Sequence, residues 1–104
     1  MSVYVDRPIW PFRGMLMCHM VADSPEELHA MADKIGIQRS WFQSFAKTRR
    51  PHYDVSEPKR MLAVQFGAIE VDAARLVEIC RAILANDAPW RADPEYLAQK
   101  AGQR

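Results

Sequence analysis

An almost wholly apolar run, Met15–Ala22, constrains the fold of this 104-residue chain more than any other segment. Seven of its eight residues are apolar, and His19 is the exception. A strand with one solvent-exposed face alternates apolar and polar residues, whereas a continuous apolar run is typical of a strand covered on both faces. The run therefore predicts a buried strand of an α/β sheet.

The clearest helix start in the chain follows this run directly. Ser24 is suited to the N-cap, Pro25 to the first helical position, and Glu27 to the third, where it completes a capping box. Gly36 is placed to end the helix in the left-handed conformation. The residues between them repeat with a helical period and predict a core-facing stripe: Leu28, Met31, Ala32 and Ile35.

The other segments predict short elements. Residues 2–6 are expected to form a strand, and residues 7–14 a loop, because Pro8 and Pro11 interrupt regular pairing. Residues 37–45 are compatible with either a helical turn or a strand, and residues 46–55 are expected to form a loop. Ser56 is expected to cap a helix to about residue 66, residues 68–71 to form a strand, and Asp72 to cap another helix.

These elements predict a small single α/β domain with a three- or four-stranded sheet and flanking helices. We place this domain at residues 1–88, followed by a C-terminal extension at residues 89–104 with a short helix around Tyr96 and Leu97. A composition of 49% hydrophobic and 26% charged residues excludes disordered and collagen-like chains.

Localisation is expected to be cytoplasmic. No apolar run approaches the ~20 residues of a membrane span, and the N-terminus has no secretory pattern. Cys18 and Cys80 both lie in apolar segments, which is typical of reduced core thiols.

Charge is distributed unevenly along the chain, although the net charge is only +1. Residues 39–60 contain six basic and two acidic residues, a local charge of +4, so the remainder carries −3. Lys59 and Arg60 lie in the first turn of a predicted helix, where the free N–H groups already present positive potential. They form an anion-binding arrangement or simply extend into water.

Histidines supply the other candidate groups. His19 is either a hydrogen-bonded core residue or the wall of a site, and His29 is either a ligand or half of a solvated pair with Asp33, one turn away. His52, Tyr53 and Asp54 place three proton-handling groups together, which indicates acid–base or ligand chemistry, or alternatively a turn.

The order of these residues resembles the bacterial and phage family DUF4031, over about residues 3–71. The resemblance is carried by Val3-Tyr4-Val5-Asp6, Trp10-Pro11-Phe12-Arg13-Gly14, Cys18-His19-Met20-Val21-Ala22-Asp23, Glu27-Leu28-His29, Ser40-Trp41-Phe42-Gln43, Pro51-His52-Tyr53-Asp54, Lys59-Arg60, Ala63-Val64 and Gly67-Ala68. The family's name denotes a domain of unknown function, so the resemblance implies motif positions and no mechanism. It favours functional roles for His19 and His52.

Our first hypothesis is that the domain binds a small anionic molecule, such as a nucleotide or a phosphorylated metabolite. Arg13, Lys59 and Arg60 would hold the anion, and Trp10 or Trp41 would stack on a ring. His19 would line the site. If the protein is an enzyme, His52, Tyr53 and Asp54 are the candidate catalytic residues. These residues do not identify a cofactor.

Other function classes stay open. A metal-dependent hydrolase would bind Zn²⁺ or Mn²⁺ through His19, His29, His52 and Asp54 (or Asp23), although their spacing matches no recognised metal motif. A nucleic-acid-binding protein would use the basic segment and its aromatics Trp41, Phe42 and Phe45. A protein-interaction adaptor or homodimer would use Ile9, Trp10 and Phe12. Cysteine catalysis is disfavoured because Cys18 and His19, as strand neighbours, point to opposite faces.

Overall fold

An open five-stranded mixed sheet forms the centre of the computed structural model, which describes residues 2–43 and 51–92. Its strands are β1 (Val3–Val5), β2 (Trp10–Phe12), β3 (Met15–Ala22), β4 (Tyr53–Ser56) and β5 (Ile69–Glu70). The α-helices within these residues are α1 (Pro25–Ile35), α2 (Glu57–Gln65) and α3 (Ala73–Ala85), and short 3-10 turns span Arg39–Trp41 and Ala88–Ala92. The α/β class is confirmed, with one or two more strands than predicted.

The long strand β3 organises the sheet. It is antiparallel to β1, β2 and β4, whereas β5 lies parallel to β1. Two residues of β3 pair on both edges: Met17 with Trp10 and Ser56, and Met20 with Val5 and Tyr53. Since a strand has two edges, β1 and β2 share one edge of β3, and β4 occupies the other.

Two of the strands lie in segments that we predicted to be loops. β2 contains Pro11, which lacks a backbone N–H. It is tolerated because β2 is an edge strand, with β3 on one side and no described strand on the other. β4 contains Tyr53 and Val55, both fully buried, alternating with the partly exposed Asp54 and Ser56. This alternation is that of a strand with one face on the core.

The helix ends largely follow the predicted caps. The hydroxyl of Ser24 accepts from the backbone N–H of Glu27 at 3.3 Å and donates to its carboxylate at 3.0 Å. Gly36 ends α1 with φ 80°, as predicted. Asp72 caps α3, whereas Ser56 precedes α2 without a side-chain capping hydrogen bond to any described residue.

The helices cover the two faces of the sheet differently. α1 and α2 pack on the face that carries Cys18, Met20 and Tyr53. α3 packs on the other face, against Val21, and leaves the Met15 end of β3 exposed. Because side chains alternate along a strand, His19 lies on the α3 face, beyond the part that α3 covers.

Both cysteines are buried thiols, as predicted. No helix in residues 2–43 or 51–92 is long and apolar enough to cross a membrane. The predicted helix around Tyr96 and Leu97 lies outside the described residues, as do Phe45 and the basic residues Lys47, Arg49 and Arg50.

Candidate functional site

A pocket of about 360 Å³ opens on the α3 face of the sheet. Its polar side is formed by His19, Gln43, His52 and Asp54. His19 is on β3 and Asp54 is on β4, whereas His52 directly precedes β4 and pairs with Gln43. The pocket thus lies where β3 leaves the cover of α3.

Strand register brings three of the predicted site residues together. His19 of β3 pairs directly with Asp54 of β4. His52 is two residues before Asp54, so its side chain lies on the same face, and the rings of His19 and His52 are 5.2 Å apart at their centroids. One ligand atom from each of the three residues lies within 4.8 Å of the others.

A buried carboxylate orients His19. Asp6, directly after β1, accepts from the backbone N–H of His19 at 2.7 Å and lies 2.8 Å from its Nδ1. The Asp6 side chain is 3% exposed. An ionised carboxylate at Nδ1 favours the tautomer protonated there, which leaves the lone pair on Nε2.

Asp54 is held as a carboxylate. Its Oδ1 lies 3.1 Å from Nε2 of His52, and its Oδ2 accepts from the amide of Gln43 at 3.1 Å. Burial acts to raise the pKa of Asp54, but the hydrogen bond and positive charge of His52, helped by His19 and Gln43, bring it below the ordinary value. The residue therefore presents the charged form that binds cations.

Tyr53 and His29 form a separate pair on the opposite face. The hydroxyl of Tyr53 lies 2.8 Å from Nδ1 of His29, and the Tyr53 side chain is fully buried among core residues. The expected solvated pair of His29 with Asp33 is therefore replaced by a contact to Tyr53. The alternation of β4 also divides the predicted cluster of His52, Tyr53 and Asp54, so Tyr53 and His29 do not meet the pocket.

The three cations predicted to hold an anion lie in different places. Arg60 donates through Nε to the carbonyl of Asp6 at 2.6 Å and pairs with Glu70 at 3.0 Å. The ammonium of Lys59 lies beside Gly36 at the end of α1. Arg13 is in the β2–β3 turn, 5.2 Å from the ring centre of Phe12. Since α2 packs on the face opposite the pocket, its first turn does not add cations to His52 and Asp54.

The aromatic candidates also separate. Trp10 lines the pocket, with its ring 4.5 Å from that of His19. Trp41 is 58% exposed on a 3-10 turn and does not line the pocket, whereas Phe42 is in the core and stacks on Trp90. Phe42 is therefore not an exposed platform for nucleic-acid bases. Ile9 and Phe12 are exposed, and their use in a homodimer stays a prediction.

The cysteine expectation agrees with the geometry. Cys18 lies on the face opposite His19, and its burial, together with the charge of Asp6, raises the pKa of its thiol to about 12.

The carboxylate of Asp23, the substitute ligand considered for the metal site, accepts from the backbone N–H of Ser2 at 2.8 Å.

Sequence reasoning missed Asp6 and Gln43. Both reach the site through nonlocal strand pairing, Asp6 beside β3 and Gln43 beside His52. The alternation of Tyr53 and Val55 was the one local signal that could have revealed β4 and hence the pairing of Asp54 with His19.

Comparison with known proteins gives a family and no activity. No curated protein and no solved structure matches the chain. The sequence matches the family DUF4031, described as a protein of unknown function, over residues 3–83. This match continues past residue 71 into α3, whose residues Leu76 and Cys80 line the pocket. The chain therefore belongs to the DUF4031 family.

Proposed function

We propose that the domain binds a divalent transition-metal ion through His19, His52 and Asp54 and uses it in hydrolysis. The observation that carries the proposal is the convergence of one ligand atom from each residue within 4.8 Å, at a pocket. Two imidazoles and one carboxylate suit Zn²⁺ or Mn²⁺, and three protein ligands leave positions open for water and substrate.

The distances support this ligand set. Two ligands of one ion, each at about 2.1 Å, lie roughly 3.0–3.4 Å from each other. Nε2 of His52 and Oδ1 of Asp54 are 3.1 Å apart, so an ion can replace their hydrogen bond with little movement. His19 completes the set if its ring moves closer, since the three ligand atoms now lie within 4.8 Å of one another.

Among the described residues, the charges around the pocket favour a cation over a directly bound anion. Asp6 and Asp54 provide two carboxylates, and no Lys or Arg in the described part of the chain lines the pocket. Asp6 also supplies the carboxylate–histidine contact that orients many metal-binding imidazoles and increases their basicity. The anionic ligand expected from the sequence would then bind through the metal's open positions.

A bound metal ion of this kind lowers the pKa of a coordinated water and so supplies a nucleophile at neutral pH. The chain's own residues would hold the ion, fix the tautomer of His19 through Asp6, and orient Asp54 through Gln43. Because His19, His52 and Asp54 all line the pocket, an ion held by them would be accessible from the pocket.

The test is a metal titration with a matched pair of histidine variants. Purified protein is stripped with a chelator, and its affinity for Zn²⁺ and Mn²⁺ is measured by calorimetry. We expect one ion per chain, a large loss of affinity in His19→Gln, and wild-type affinity in His29→Gln, since His29 lies on the other face. At 100 times the dissociation constant the metal should also stabilise the fold by about 2.7 kcal/mol.

The proposal fails if the wild-type protein binds neither ion. It also fails if His29→Gln weakens binding as much as His19→Gln, because that result would place the metal elsewhere.

A further inference from the structure

The wall of the pocket beside the three proposed metal ligands is aromatic and aliphatic. We infer that the site takes a small molecule in which a metal-binding oxygen group is attached to a flat ring, and that Trp10 determines this preference. The inference rests on the proposed metal site and specifies the class of ligand that the site would accept.

Trp10 is fixed at the edge of the site by two contacts. It pairs with Met17 across the β2–β3 hairpin, which places its side chain on the same face as His19. Its ring also packs at 4.5 Å on the His19 ring, with a tilt of 43°. The indole remains half-buried, so part of its surface faces the pocket and is available to a ligand ring.

The side of the pocket towards α3 is apolar. Val21 of β3 and two residues of α3, Leu76 and Cys80, contribute to it. A ligand ring could therefore contact the indole and aliphatic groups while its polar end reaches His19 and Asp54. Pockets that bind small molecules commonly combine such apolar walls with a few placed polar groups.

Volume and charge restrict the ligand further. The pocket volume of about 360 Å³ is at the lower end of the range for small-molecule sites, which suits a molecule with one ring. The described lining residues include no Lys or Arg, so among them a polyphosphate would find no countercharge besides a bound metal. For this described lining, a single anionic group that the metal can neutralise is a better fit than a nucleotide.

The experiment compares two hydroxamates that share the metal-binding group and differ in the ring. Benzohydroxamate and acetohydroxamate are titrated into the Zn²⁺-loaded protein by calorimetry, and into the Co²⁺-loaded protein by visible spectroscopy. We expect benzohydroxamate to bind at least tenfold more tightly to the wild type. In Trp10→Ala this preference should fall to about threefold or less, whereas Trp10→Phe should retain most of it.

Trp41→Ala is the matched control, since it removes an exposed indole that does not line the pocket. It should keep the wild-type preference. Metal affinity is measured for every variant, so that loss of the fold is not mistaken for loss of ring selection.

Two results are distinguishable. If the wild-type chain binds no metal, the proposed function fails. If it binds metal but shows no preference for benzohydroxamate, or if Trp10→Ala keeps the preference, the ligand inference is overturned and the metal site stands.

Discussion

Replacing Asp6 with Asn tests the proposed metal site without touching a ligand. The carboxylate of Asp6 meets both the backbone N–H and Nδ1 of His19, at 2.7 and 2.8 Å. In Asp6→Asn the amide oxygen can still accept from the backbone N–H, but its NH₂ group then faces Nδ1. Nδ1 must become an acceptor, and the proton moves to Nε2, the atom proposed to bind the metal.

The expected magnitude follows from that tautomer change. To bind metal, the variant must return the proton to Nδ1 and leave two donors facing each other in a part-buried contact. Losing the hydrogen bond in this way costs about 1–3 kcal/mol, and each 1.4 kcal/mol is about a tenfold change in affinity. We expect Zn²⁺ affinity to fall roughly 10- to 100-fold, the range typical of lost outer-shell partners.

The assay is competition with a chromophoric zinc chelator, using Asp33→Asn as the control because Asp33 is exposed on α1. Nitrogen-15 NMR of the metal-free proteins provides a second readout, since it distinguishes the Nδ1–H and Nε2–H tautomers of His19. Affinity of Asp6→Asn within twofold of the wild type, in a variant that remains folded, would refute the reasoning. An unchanged tautomer would refute it independently.

The remaining predictions concern single residues outside the proposed ligand set. Arg60→Met removes the hydrogen bond to the Asp6 carbonyl and should weaken zinc binding several-fold in the same competition assay, with Lys59→Met as the unaffected control. Tyr53→Phe removes the contact to His29 and should cost about 1–2 kcal/mol in urea unfolding while leaving zinc affinity unchanged. Cys18 should resist thiol reagents at pH 8, because the pKa of its buried thiol is about 12. In the unfolded chain this thiol ionises with its ordinary pKa of 9.0, so its contribution to stability should fall by about 1.4 kcal/mol per pH unit between pH 9 and about pH 12, and Cys18→Ala should lack this dependence.

Local signals explain the elements that were predicted correctly. The apolar run gives β3 its bounds, and the Ser24 capping box and Gly36 define α1. In each case the signal comes from interactions between residues close in sequence or from the composition of a single segment. β2 and β4 have only a weak sequence signal for a strand, because each is short and depends on pairing with β3.

The chemical types of the site residues could be predicted from the sequence, but their spatial arrangement could not. His19, His52 and Asp54 were identified as proton-handling groups or ligands, but their convergence depends on the register that pairs Asp54 with His19. Because side chains alternate along β4, His52 and Asp54 lie together on the pocket face. Tyr53, between them, lies on the core face. Asp6 has no signal of its own, since its position opposite β3 arises from the pairing of β1.

The unusual cation at the start of α2 has a structural explanation that connects it to the site. A basic residue near a helix N-terminus is disfavoured by the helix dipole, which suggested that Arg60 binds an external anion. In the structure its guanidinium meets the carbonyl of Asp6 and the carboxylate of Glu70 instead, and its side chain is 13% exposed. Arg60 of α2 therefore contacts Asp6 from one face of the sheet, and Asp6 orients His19 on the other face. The hydrogen bond to Asp6 and the ion pair with Glu70 offset its unfavourable position, and we propose that Arg60 is a positioning residue of the metal site.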